Sequence, residues 1–258
     1  MESVTSRKNP TIRHLRALAA DAAYRRAAGE YVCDGLKTLR EALQYGATVK
    51  TVLWKGEAGT LSGLEGAAQL CANEELFDYA SPLNSSPGPL FSVAIEPEAQ
   101  PQELRRVLVL ENVQDPGNVG TVIRTANAFG IDAVILVGAC ADLYQPKTVR
   151  ATMGAIFRQR VLVRELDSLC ALLREHSLPL YGAALDPAAR DVRTLSLSRA
   201  AVAIGSEGQG LSAGLLARCE GKLIIPMRPD SESLNAAVAA SVLMWEMARD
   251  YDREPPLL

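Results

Sequence analysis

Between residues 107 and 138 the alternation of apolar and polar positions predicts strand, loop, helix, strand. Residues 107–110 are all branched and apolar, as a parallel strand buried on both faces requires. Asp115, Pro116, Gly117 and Asn118 supply turn chemistry, with Asn118 available to cap the next helix. Val119, Val122, Ile123 and Ala126 then recur at helical spacing, and Gly130 ends the run. Residues 133–137 form the following strand. Arg124 stands off the apolar stripe, with Gly120 one turn before it and Asn127 three residues after. Taken alone, that is a solvated arginine beside a packing glycine; its place just after a strand raises the functional reading.

The same alternation continues to the C-terminal end. Strands are predicted at 107–110, 133–137, 161–163, 180–184, 201–204 and 222–225, with helices at 119–129, 166–175 and 212–218. This order argues for a parallel sheet covered on both faces. Residues 235–251 read as a long closing helix whose start is rich in alanine, which allows close packing. The first 95 residues form a smaller α/β pattern. Residues 3–10 are polar and irregular, 11–28 helical through Ile12, Leu15, Leu18 and Ala19, and 31–33 a short strand. A helix through Leu36, Leu39 and Leu43 ends at Gly46; a strand follows at 49–54, a glycine-interrupted helix at 61–71 and a strand at 90–95. A loop rich in proline, serine and glycine surrounds Pro82, Pro87 and Pro89. Residues 96–103, EPEAQPQE, have linker composition. The reading is therefore a domain at 1–96, a linker at 97–104 and a second domain at 105–258.

Charge matters here through its distribution. The net charge of −3 excludes a strongly basic nucleic-acid binder overall. Yet residues 1–50 hold nine Lys/Arg against five Asp/Glu, residues 51–104 one against eight, and residues 145–164 five with no acid. Two basic stretches flanking an acidic one suit a local phosphate-facing surface, though solvated helix faces give the same counts. Five scattered cysteines without a C-x-x-C, and only two histidines, argue against a zinc site and fit a reducing cytoplasm. The longest uncharged apolar run, 236–245, is too short to span a bilayer.

Three loops that follow predicted strands carry unusual chemistry, and in parallel α/β sheets ligands bind outside such strand ends. The first spans Asp115 to Arg124. In the second, residues 201–204 run into Gly205-Ser206-Glu207-Gly208-Gln209-Gly210, where glycines expose backbone N–H groups. This is neither a dinucleotide fingerprint nor a P-loop, and Glu207 is more than a turn needs. The third follows residues 223–225, where Ser233 and Asn235 stand before the closing helix and either could cap it.

Taken in order, NVGTVIRTANAFG, IGSEGQG and IPMRPDSESLN resemble the three motifs of the SpoU (TrmH-type) RNA ribose 2′-O-methyltransferases. QPKTVRATMGAIFRQRV is similar to the family's Lys-x-x-Arg segment. SRKNPTIRHLRAL and YRRAAGEYVCDG resemble the small substrate-binding module that precedes many members, with Asp34 where glutamate is expected. The resemblance covers nearly the whole chain. It implies a C-terminal trefoil-knotted α/β methyltransferase domain with a smaller ribosomal-protein-like N-terminal α/β domain. It further implies a homodimer using S-adenosyl-L-methionine (AdoMet); no metal is expected, on the cysteine and histidine counts given above. Gly205, Ile225 and Leu234 match donor-binding positions; Asn118, Arg124, Glu207, Ser233 and Asn235 match active-site positions.

Structured RNA is the expected substrate, with 23S ribosomal RNA favoured over tRNA by the two-module layout. Arg7, Lys8, Arg13, Arg16, Arg25 and Arg26, with Lys147 and Arg150, are the candidate phosphate contacts. Without the resemblance, the pattern suits a nucleotide-binding α/β enzyme such as a dehydrogenase, but the glycine-rich loop and ribose acid are missing after the first strand. A non-catalytic RNA-binding protein is the other alternative, and it has no need for all five polar site residues.

Overall fold

In the computed structural model, residues 2–83, 86–98, 103–228 and 233–249 are described. The chain divides into two compact units, Met1–Glu98 with Asp142–Arg158, and Ala99–Ala141 with Gln159–Leu258.

The first unit begins with β1 (Glu2–Val4), α1 (Pro10–Ala20), α2 (Ala22–Ala28) and β2 (Glu30–Asp34). It continues with α3 (Leu36–Gln44), β3 (Val49–Lys55), β4 (Ala68–Ala72), α4 (Glu74–Ala80) and β5 (Leu90–Ala94). Its mixed sheet has the order β1-β4-β3-β5-β2. Ile12, Leu15 and Leu18 of α1 pack on one face with Leu53, Leu70, Phe77 and Leu90. Leu39 and Ala42 of α3 cover the other, with Tyr31, Val52, Trp54 and Phe91.

Several local features differ from the sequence reading. The expected helix over 11–28 breaks at Asp21, whose side chain accepts the Ala23 and Tyr24 N–H groups and restarts the helix. The expected helix over 61–71 is not formed: Gly63 takes a φ of +89°, and the chain becomes strand β4 instead, parallel to β3. Residues 2–4 form a strand rather than irregular chain.

The second unit holds β6 (Arg106–Glu111), α5 (Pro116–Ala128) and β7 (Ala133–Val137). The chain then returns to the first unit for α6 (Pro146–Ala151) and a 3-10 turn (Ala155–Phe157), where Val149, Ile156 and Phe157 join the core around Tyr31. The second unit resumes with β8 (Val161–Arg164), α7 (Leu166–Glu175), β9 (Leu180–Ala183), β10 (Arg190–Asp191) and β11 (Ala200–Ile204). It ends with α8 (Ala213–Leu216), β12 (Gly221–Ile224) and α9 (Ala236–Met247). The expected closing helix reached 251, but α9 ends at Met247 with Ala248 as its C-cap; residues 250–251 lie outside the described residues, as do 84–85 of the first unit's loop, 99–102 of the linker and 229–232 of the third motif.

The second sheet has the order β10-β12-β9-β11-β6-β7-β8, and every pairing in it is parallel. Val107 and Val109 of β6 pack with Leu169, Leu172 and Leu173 of α7. By strand alternation Leu108 and Leu110 face the other way. All six β6 residues and all five of β7 and β11 are buried, which explains the unbroken apolar runs at 107–110, 133–137 and 200–204.

Successive strands run outward from β6 through β7 to β8, and the later strands return on the far side of β6. The boundary between β6 and β11 is therefore the topological switch point of the sheet, where a crevice opens at the strand carboxyl ends.

Candidate active site

Each of the two strands at the switch point leads into a polar loop. After β6, Asp115 caps α5 by accepting the Asn118 N–H at 2.8 Å. The cap is thus Asp115 and not Asn118, and Pro116 fills the first helical position, where no N–H is needed. This frees the Asn118 side chain to point away from its own helix end.

After β11, Gly205 is buried, and its glycine identity is steric. A Cβ there would stand 2.0 Å from the Gly210 carbonyl carbon and oxygen and 2.3 Å from the Leu211 nitrogen. The loop closes on itself through Gly210 N–H to the Ser206 carbonyl at 2.8 Å, and it carries Glu207 at its exposed tip. Gly208 and Gly210 have open space where a Cβ would stand.

The third arm is the start of α9. Asn235 Oδ1 accepts the Ala237 and Val238 N–H groups at 2.9 and 3.2 Å and so caps the helix. Its Nδ2 meanwhile donates to Asn118 Oδ1 at 3.1 Å and to Glu207 Oε1 at 3.2 Å. Asn118 Nδ2 also donates to Glu207 Oε1. Three side chains separated by 117 and 89 positions in sequence thereby close a hydrogen-bonded ring. Capping and site membership were alternative readings of Asn235; an amide does both, because its oxygen serves the helix and its nitrogen the ring. Glu207 Oε2 has no partner among the described residues.

None of the other predicted residues bonds to this ring among the described residues. Ile225 and Leu234 are half-buried, one just past β12 and one just before the α9 cap, and Ser233 is exposed. Arg124 is exposed and makes no ion pair among the described residues. Six residues along α5 from Asn118, it stands about a third of a turn around the helix and roughly 9 Å further along the axis. In the first unit, Lys8, Arg13, Arg26, Lys147 and Arg150 are exposed. Arg16 stacks 4.0 Å over the Tyr79 ring, and Arg7 lies 4.6 Å over the same ring while pairing with Glu75 at 2.7 Å.

Arg25 must be removed from the phosphate contacts. It is 4% exposed and donates to the Leu18 carbonyl at 2.7 Å and to Asp142 at 3.0 Å. Its guanidinium ties α1 to residue 142 inside the first unit and has no face for RNA.

Among the described residues no group of three or more His, Cys, Asp or Glu could hold a metal ion, and no helix is long and apolar enough to cross a membrane. The ring offers a fixed carboxylate, Glu207, on a loop where Gly208 and Gly210 leave open space.

A parallel sheet with three strand-end loops meeting at its switch point defines a ligand-binding α/β domain, and comparison with known proteins gives its family. The SpoU rRNA Methylase family profile matches residues 105–245. The chain is 33% identical over 247 residues to the 23S rRNA (guanosine(2553)-2′-O)-methyltransferase RlmP of Bacillus subtilis, covering 96% of this chain and 99% of that one. Among solved structures it resembles the AdoMet-bound rRNA methyltransferase from Sinorhizobium meliloti, with a TM-score of 0.85, 28% identity, and coverage of 96% and 97% of the two chains. It also resembles the SpoU methyltransferase AviRb from Streptomyces viridochromogenes in complex with AdoMet, with a TM-score of 0.83, 25% identity, and coverage of 93% and 98%. The chain belongs to the SpoU rRNA methylase family.

Proposed function

We propose that this protein transfers a methyl group from AdoMet to a ribose 2′-hydroxyl of RNA, with 23S ribosomal RNA as substrate. The observation that carries this reading is the ring of Asn118, Glu207 and Asn235, assembled from three loops at the switch point of the sheet. Family membership and the activities named for RlmP and AviRb support it.

A sulfonium methyl is already electrophilic, so the protein's work is alignment of the two reactants and help with the hydroxyl proton. Gly205, Ile225 and Leu234 hold the donor, largely through backbone groups beside the ring. Glu207, oriented by two amide donors, presents its free oxygen to the 2′-hydroxyl. Ser233 stands at the mouth of the same site. Arg124 grips the phosphate next to the target ribose, because a guanidinium offers a planar fork of donors and no acceptor, which suits a bidentate clamp and not a base.

Residues 1–96 dock the RNA through Arg7, Lys8, Arg13, Arg16 and Arg26, and Lys147 and Arg150 extend the contact from α6. The second unit carries the trefoil knot of its family. The protein works as a homodimer in the cytoplasm. Val238 and Trp245, 49% and 54% exposed and seven residues apart on α9, leave an apolar stripe for a second copy.

Mapping ribose methylation in ribosomal and transfer RNA from cells with and without this protein tests the reading. The expected result is loss of one or a few 23S ribose methylations; unchanged ribosomal RNA would overturn the substrate assignment.

A further inference from the structure

β6 ends on a carboxylate that follows four apolar residues, 107–110. Glu111 is 5% exposed, and both its oxygens are engaged by one residue. Ser212 donates its backbone N–H to one and its hydroxyl to the other, each at 2.7 Å. Burial of a carboxylate is costly without such bonds, so this pairing fixes both partners. Ser212 ends the loop that carries Glu207 and caps α8 through the Leu215 N–H at 3.1 Å.

Glu111 also begins the loop that leads to Asn118 in the first turn of α5, four residues before the Asp115 cap. Ile204 pairs with Leu110, so Gly205 and Glu111 come next on neighbouring strands. One buried side chain therefore joins, at their bases, the two loops whose tips meet in the Asn118–Glu207 bond. Capping of α8 alone needs only the Ser212 hydroxyl oxygen, which leaves the clamp on Glu111 without a helix-capping purpose.

We propose that Glu111 is a positioning residue for methyl transfer. Its hold on Ser212 sets the path of residues 205–211 and hence the reach of Glu207 to Asn118 and Asn235. The proposal rests on the ring being the transfer site.

Glu111→Gln, Ser212→Ala and the double variant of the full chain test it. Glutamine keeps the volume but offers one acceptor oxygen and sets an NH2 against a donor. Three quantities are read: AdoMet sites per chain by calorimetry, kcat per counted site, and hydrogen exchange of the segment 205–215. The expected result is an unchanged site count, faster exchange of that segment, and a loss in kcat per site of about tenfold or more in each single variant. The double variant should be no slower than the slower single one, because both cut the same contact.

Unchanged exchange in Glu111→Gln, or kcat per site equal to wild type, overturns the proposal. So does a double variant whose loss multiplies the single losses, or a site count that falls in step with kcat. A wild-type protein that binds AdoMet but methylates no RNA would instead sink the functional reading, while the exchange data still report whether Glu111 holds the loop.

Discussion

Asparagine at position 235 serves two masters, and Asn235→Asp separates them. Aspartate caps a helix as well as asparagine does, so the bonds to Ala237 and Val238 survive. The two donors to Asn118 and Glu207 are lost, and a second carboxylate oxygen stands where a nitrogen stood 3.2 Å from Glu207 Oε1. Two unit charges at that separation repel by about 1 kcal/mol in bulk water and about 5 at an effective dielectric of ~20. Both side chains are exposed, so the lower end governs.

Two lost surface hydrogen bonds add about 1 kcal/mol, and a negative charge at a helix N-terminus returns about 0.5. The net cost is about 1–2 kcal/mol, a fall in Tm of roughly 3–6 °C. Asn235→Ala loses the cap and the same two bonds, about 2 kcal/mol in sum, so the two variants should melt at similar temperatures. Their activities should differ. Alanine leaves the Asn118–Glu207 bond intact, whereas aspartate drives Glu207 out of the ring. Methyl transfer should fall by about tenfold in the alanine variant and by about 10²-fold in the aspartate variant. Labelled transfer and thermal melting on the same preparations decide it. An aspartate variant at the wild-type rate, or an alanine variant slower than the aspartate one, would refute the reasoning.

Other perturbations follow from the same geometry. Gly205→Ala drives a Cβ into backbone at 2.0 Å; it should cost about 3 kcal/mol by overpacking and abolish AdoMet binding in calorimetry. Arg25→Ala breaks a largely buried pair with Asp142 and should lower stability by about 2–3 kcal/mol, without changing the salt dependence of RNA affinity. Arg13→Ala should do the reverse, with a Tm near wild type and a shallower salt slope.

Burial pushes the Cys219 thiol up to about 11, and burial likewise holds Cys33 well above the usual thiol range. A folded pKa above the unfolded one adds stability that is complete below the unfolded value and vanishes as pH rises through the folded one. Melting temperature should therefore fall between about pH 9 and 11, and a Tm flat across that window would contradict it.

Much of the second sheet was legible in the chain because its central strands β6, β7 and β11 are buried on both faces and read as apolar runs, whereas the two-residue strand β10, Arg190–Asp191, has no such run and was not legible. The three polar loops were legible for a related reason, since Glu207 and Asn235 break patterns that packing alone would have kept. Which residue caps α5 was not legible. Asp115 and Asn118 are both good caps three residues apart, and only the observed bond to the Asn118 N–H assigns the role.

In the first unit, β4 was hidden by Ala67, Ala68 and Ala72, small residues that carry little alternation. The helix α4 left a signal that went unread: Asn73 accepts the Leu76 N–H, and Glu74 and Glu75 occupy the first turn. The packing of residues 142–158 with the first unit is a tertiary fact with no local signature. Nor does one glutamate ending an apolar strand disclose a serine 101 residues away as its partner.

The most direct test of the ring as a ribose methylation site uses labelled AdoMet, purified protein and unmodified ribosomal RNA, followed by alkaline hydrolysis. A methylated 2′-hydroxyl blocks strand cleavage, so label should appear in alkali-resistant dinucleotides, and Glu207→Ala should remove it while AdoMet binding persists. Label in mononucleotides would place the methyl group on a base, and label undiminished in Glu207→Ala would show that the ring does not carry the reaction.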